Sequence, residues 1–197
     1  MTYTNPCSEE AYENSIIELF EGMGYTHVYA PDIENRDFYS PLYEPVLTNS
    51  LRKINPNLPD EAINEALYKL KNFENADLVQ KNAVFTDYLQ NGVPVRYTAG
   101  SEAKDTIVYL IDYANPDNNS FIIANQWTFI ENSKKRPDVL LFINGMPLVL
   151  MELKSPSREE TDASAAYRQI QNYKHEIPAM FVYNAICVMS DLAFSKA

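Results

Sequence analysis

The chain has 197 residues, 46% of them apolar, and a formal net charge of −11. That length suits one large core, alone or with an inserted lobe. The acidic balance argues against a generic coat on nucleic acid, and no apolar run of about 18 residues is present to span a bilayer as a helix.

The first residues lack the basic-then-apolar order of a signal peptide. Cys7 and Cys187 show neither metal-ligand nor disulfide spacing, so a reduced, cytoplasmic protein is expected. His27 and His175 are far apart and read as partly exposed imidazoles. From Ser8 the sequence SEEAYENSIIELFEGMGY predicts a helix. Ser8 is its cap, acids crowd its first turn, Ile16, Leu19, Phe20 and Met23 form an apolar stripe, and Gly22 and Gly24 mark its end. Residues 25–30 suit a short strand. Residues 31–95 differ in character: 47–54, 59–73 and 76–89 each suit a helix, the second opened by Pro59-Asp60-Glu61. This block reads as a helical insertion between β elements. Gly92-Val93-Pro94-Val95 is turn and extended chain. Residues 106–113 and 120–130 read as strands joined by the polar loop at 115–119. After a hairpin at 136–154, residues 161–176 predict a helix capped by Thr161 or Asp162, and 181–189 a last buried strand. There are no internal repeats.

Charge is unevenly spread. From Asn132 to Lys174 seven basic residues face five acids, a local +2 that leaves −13 to the rest. On charge alone a solvated mixed surface is the favoured reading; the charge permits a local polyanion site but does not demand one.

Residues 136–154, RPDVLLFINGMPLVLMELK, carry the chemistry. Two runs rich in Val, Leu, Ile and Phe flank Asn144-Gly145, the strongest short-range hairpin signal. Side chains alternate along a strand, so Glu152 and Lys154 share one face and Leu153 takes the other. Asp138 and Glu152 are oxygen donors suited to Mg²⁺, with the Leu153 carbonyl as a further ligand. Lys154 is placed to orient a water or to stabilise charge on a phosphodiester. A lone E-x-K is most often a surface ion pair; Pro137-Asp138, the hairpin and E-x-K together are more specific. Gln169 and Tyr173, four apart, share a helix face. Glu13 by itself reads as a solvated helix acid. The hairpin poses a register problem. A plain two-residue turn would set Asp138 opposite Met151 and put Glu152 on the other face. Bringing the acids together requires an odd shift: a three-residue loop with Gly145 left-handed, or a β-bulge between Asp138 and Glu152.

The PD…E-x-K arrangement resembles the PD-(D/E)xK nuclease superfamily. KRPDVLLFINGMPLVLMELKSP, preceded by NPDNNSFIIANQW and followed by QIQNY, resembles more narrowly the N-terminal nuclease domain of type I restriction enzyme R subunits; IIELFEGMGY on the opening helix is also similar. The resemblance covers both ends of the chain and little of 31–95. It implies an α/β fold with a restriction-endonuclease-like core: a mixed central sheet flanked by helices, forming a single domain over 1–197 with the helical insertion. It implies a Mg²⁺-dependent DNA endonuclease, Mn²⁺ substituting, whose cleavage site comprises Glu13, Asp138, Glu152 and Lys154, supported by Gln169 and Tyr173. It also implies specificity and methyltransferase subunits as partners and an ATP-driven motor. No G-x-x-x-x-G-K-[ST] stretch occurs here, so ATP would act through a region outside this chain, which is expected to be the N-terminal part of a longer one. The rival readings are a catalytically inactive docking module of the restriction complex and a repair or junction nuclease of the same superfamily.

Overall fold

The computed structural model describes residues 8–74, 77–154, 163–190 and 195–196. In chain order these form α1 (Glu9–Gly22), β1 (Thr26–Tyr29), α2 (Glu44–Ile54), α3 (Asp60–Lys71), α4 (Leu78–Asn91), β2 (Val93–Ala99), β3 (Glu102–Val108), β4 (Phe121–Asn125), β5 (Phe129–Ile130), β6 (Lys134–Lys135), β7 (Val139–Ile143), β8 (Met146–Leu153), α5 (Ala163–Glu176), α6 (Pro178–Val182), β9 (Ile186–Ser190) and β10 (Ser195–Lys196). None of these helices is long and apolar enough to cross a membrane. The expected helix caps Thr161 and Asp162 lie outside the described residues.

The chain divides into two compact units. The first, Met1–Pro41, Phe121–Phe142 and Pro147–Ala197, holds a mixed sheet in the order β1-β4-β7-β8-β9-β10. β1 runs parallel to β4 and β8 parallel to β9, with Glu152 opposite Met189 and Leu153 opposite Ser190. Ser8 caps α1 by accepting the Ala11 N–H. On the α1 side Ile17 packs with Ile123, Val139, Leu141, Met151 and Leu153. This is the restriction-endonuclease-like α/β architecture.

The second unit is Leu42–Ser120 with Ile143–Met146. It contains α2, α3 and α4, whose buried Leu47, Leu51, Ile63, Leu70 and Phe85 make its core, and an antiparallel β2–β3 hairpin running from Val93 opposite Val108 to Ala99 opposite Glu102. The three helices of this unit all precede the hairpin, which starts at Val93. Asn144 is fully buried here: its Oδ1 accepts from Ser120 N at 2.7 Å, and its Nδ2 donates to the Leu110 carbonyl at 2.9 Å.

Three expected strands differ from those observed. Residues 106–113 contribute to β3 only as far as Val108, and β3 begins earlier, at Glu102. Its first four positions are exposed and charged or small, so no apolar alternation announced them. The run 120–130 is broken into β4 and β5 at Gln126, whose φ of 57° is left-handed. Phe181 and Val182 belong to α6 and only the following residues to β9. Pro178 opens that helix, and a short apolar run does not by itself separate helix from strand.

The hairpin turn consists of Asn144 and Gly145 alone, with φ of 52° and 82°. Both are left-handed, as a type I′ turn needs, and the three-residue loop is excluded. Gly145 is required twice over. Its φ disfavours a side chain, and a Cβ there would lie 2.6 Å from Tyr43 O and from Leu47 N. Gly145→Ala should therefore destabilise the protein by more than about 2 kcal/mol. Urea denaturation measures this, and a loss no larger than that of an ordinary surface substitution would show that the turn relaxes freely.

Candidate active site

The site is built at the open end of the β7–β8 hairpin. The face partition settles its register. Val139 and Leu141 of β7 share the α1-side cluster with Met151 and Leu153 of β8, and Val149 packs against it. A plain ladder from a two-residue turn would instead put odd positions of one strand with even positions of the other. One extra residue is therefore accommodated in one arm of the hairpin, between the turn and the Asp138–Glu152 end, and it turns Asp138 and Glu152 toward the same side.

Asp138 precedes β7 and takes over the pairing where that strand has not yet begun. Its Oδ2 accepts the backbone N–H of Leu153 at 2.7 Å. The next N–H, of Lys154, turns the other way and donates to the Ser190 carbonyl at 2.9 Å. Ser190 Oγ is in turn 2.5 Å from the Tyr12 hydroxyl of α1, so the end of β8 is held from both flanks.

Glu152 is completely buried. Lys154 Nζ donates to its Oε1 at 2.5 Å, while Oε2 is buried without a hydrogen-bond partner. A buried carboxylate satisfied on one oxygen only is an expensive arrangement. Tyr173 of α5 lies with its hydroxyl against this carboxylate and accepts a hydrogen bond from Gln169 Nε2 at 2.7 Å. The structure thus brings Asp138, Glu152, Lys154, Gln169 and Tyr173 together.

Glu13 is placed differently. Its Oε1 accepts from Asn125 Nδ2 at 2.6 Å, and Asn125 Oδ1 lies 3.0 Å from His27 Nε2. The α1 acid whose charge bears on both Asp138 and Glu152 is Glu9, one helical turn before Glu13. The sequence carries a signal for it, because residues four apart share a helix face. Asn125 and Ser190, both buried, had no sequence signal; they act through pairings between distant elements.

Electrostatics follow from burial. Desolvation and then the Glu152 charge raise the Asp138 carboxyl to about 7, against the Leu153 N–H and Lys154. Glu152 is also raised, by burial first, with the hydrogen bond and charge of Lys154 opposing. Burial and the Glu152 charge raise the Tyr173 phenol.

Two carboxylates, Glu152 buried with an unpartnered oxygen and Asp138 half-buried beside it, ask for a proton or a cation. Asp138, Glu152 and the Leu153 carbonyl are hard oxygen donors, and among the described residues no third His, Cys, Asp or Glu joins them in a cluster. A donor set this small fits Mg²⁺, which keeps several waters of its own.

An acid pair and a lysine at the end of a hairpin in such a sheet define a PD-(D/E)xK-type protein. The chain belongs to the family described as Type I restriction enzyme R protein N terminus, whose model matches residues 6–194. It is 33% identical over 193 residues to the type I restriction enzyme HindI endonuclease subunit of Haemophilus influenzae, covering 93% of this chain and 18% of that protein. It is 31% identical over 191 residues to a Methanocaldococcus jannaschii protein named as the MjaIXP endonuclease subunit, covering 91% and 18%. The chain thus spans about a fifth of the length of these relatives.

The pH dependence of stability has a definite sign. Asp138 holds its proton to about pH 7 when folded but only to the ordinary 3.8 when unfolded. The folded state therefore binds more protons between those values, and stability from this group falls as pH rises through them. In EDTA, Asp138→Asn should be more stable than wild type above about pH 7, the gap closing as pH falls toward about 4. Thermal melts across that range test this; a gap that does not change with pH would place the charge repulsion elsewhere.

Proposed function

We propose that this chain is the nuclease part of a type I restriction-modification R subunit, a Mg²⁺-dependent endonuclease hydrolysing DNA phosphodiester bonds. The observation that carries the reading is the buried Glu152 carboxylate, shared between Lys154 and an unpartnered oxygen, beside Asp138. Such a pair destabilises the fold and serves no packing need, which disfavours an inert docking module. Family membership and the names of the relatives favour this nuclease over a repair or junction enzyme.

In this reading Asp138, Glu152 and the Leu153 carbonyl hold the ion. Bound Mg²⁺, or Mn²⁺ in its place, supplies Lewis acidity to the phosphodiester and acidifies a water. Lys154 stabilises negative charge as it develops on the phosphate. Tyr173 would steady the Glu152 carboxylate, Gln169 holds the Tyr173 hydroxyl, and one of the two would reach a DNA phosphate or base. Glu13 acts from α1 through Asn125, with Glu9 adding its field to the pair. DNA is the substrate, and specificity and methyltransferase subunits are the partners in the cytoplasm. ATP acts through a motor region outside this chain.

Lys154→Ala should lower DNA cleavage by the reconstituted enzyme by about 10²-fold or more and leave ATP-driven translocation intact. Loss of both activities together would assign Lys154 a structural role. Calorimetry with Mn²⁺ should show binding to wild type and none to Asp138→Ala; equal binding by the two proteins would remove Asp138 from the ion site.

A further inference from the structure

The local excess of basic residues has a counterpart in the small β5–β6 hairpin. Its strands pair Phe129 with Lys135 and Ile130 with Lys134, and the loop between them is pinned to the end of α5 and the start of α6. Asn132 N donates to the Glu176 carbonyl at 3.0 Å and Asn132 Nδ2 to the His175 carbonyl at 3.2 Å. Lys135 Nζ pairs with Glu176 at 2.7 Å. Glu131 accepts the Ala179 N–H at 2.9 Å. Both acids of this neighbourhood are thereby engaged in holding the hairpin. Lys134 and Arg136 flank Lys135, are exposed, and make no ion pair among the described residues.

The hairpin abuts the candidate site at two points. Two residues beyond Arg136 is Asp138, so their Cα atoms are at most about 7 Å apart, and Lys134 is at most about 14 Å away. Glu176, to which the hairpin is clamped, lies one turn beyond Tyr173 on α5. The clamp thus holds the strand that carries Lys134 and Arg136, neither of them in an ion pair among the described residues.

We propose that Lys134 and Arg136 contact the DNA backbone, seating the phosphates that flank the one at Asp138 and Glu152. This rests on the nuclease reading and adds to it the surface that receives duplex DNA. A polyanion approaching a protein of net charge −11 is repelled on average. Binding then depends on a local cationic edge, and the rigid mount lowers the entropy lost when DNA docks. Lys135 lies outside the contact, because its ammonium is spent on Glu176.

The test compares Lys134→Ala/Arg136→Ala with a control, Lys104→Ala, an exposed lysine of β3. Each is made in a Lys154→Ala background so that DNA stays intact. Affinity for a labelled duplex is measured by anisotropy over a range of salt concentrations with Mg²⁺ present. Losing two phosphate contacts should reduce the slope of log affinity against log salt by about 1.8 and weaken binding about tenfold at low salt. The control should match its parent, and Mn²⁺ binding and melting temperature should not change. Equal affinity and slope in the double variant and its parent would overturn the proposal, as would a parent that binds no duplex at low salt. The nuclease reading fails by a different result: cleavage that survives Lys154→Ala. An unchanged salt slope with cleavage still dependent on Lys154 sinks the hairpin surface alone.

Discussion

The sheet of the first unit is organised around one unfavourable fact, a fully buried carboxylate at Glu152 with a second acid next to it. Everything nearby is arranged to make that tolerable. Lys154 supplies a countercharge from the same face of the same strand. Leu153 supplies an N–H to Asp138 from the residue between them. Tyr173 shields the carboxylate from the α5 side. These contributions cover all but one oxygen, and the remaining deficit appears as raised proton affinity in both acids. A protein selected only for stability would replace the pair with apolar side chains of similar size. The nuclease reading accounts for the pair, since a bound cation would fill that deficit.

The turn and the site make opposite demands on the hairpin, and its irregularity reconciles them. Asn144 and Gly145 are both left-handed and the turn has only two residues. Asn144 cannot move freely, because its amide is tied to Ser120 and Leu110. Gly145 cannot gain a side chain, because Tyr43 and Leu47 crowd it. The turn therefore dictates one pairing parity, and the packed face of the two strands shows the other. The extra residue in the strands lets both stand, at the cost of a local break in the ladder.

This explains which parts were legible in the sequence. The parity conflict was readable because strand periodicity is rigid and Asp138 and Glu152 are fixed in number. The form of its resolution was not, since a long loop and a bulge serve equally well on paper. The α1, α2, α3 and α4 helices were legible from caps and apolar spacing. β3 was not, because its outer half is charged and exposed, and its pairing with β2 gives no apolar alternation. α6 was hidden because Phe181 and Val182 are as apolar as a strand would be. The site followed the same rule. Residues with spacing that means something, such as Glu152 with Lys154 or Gln169 with Tyr173, could be grouped from sequence. Glu13 and Glu9 could not be told apart, because both lie on one helix face and only tertiary contacts with Asn125 distinguish them.

In the nuclease reading Lys154 would have two jobs, one in the ion pair with Glu152 and one at the phosphate. With no cation bound, its ammonium is the main offset to the Glu152 charge and is held at 2.5 Å. A cation held by Asp138 and Glu152, as the nuclease reading proposes, would offset part of the same charge. In the nuclease reading Lys154 would then stabilise charge on the phosphate. The ion pair offsets the buried Glu152 charge and keeps the ammonium on the same strand face as the carboxylate. A lysine placed farther away would leave Glu152 uncompensated, and an arginine would bind the carboxylate in a bidentate grip that is harder to release. The short E-x-K spacing on one strand face satisfies both requirements.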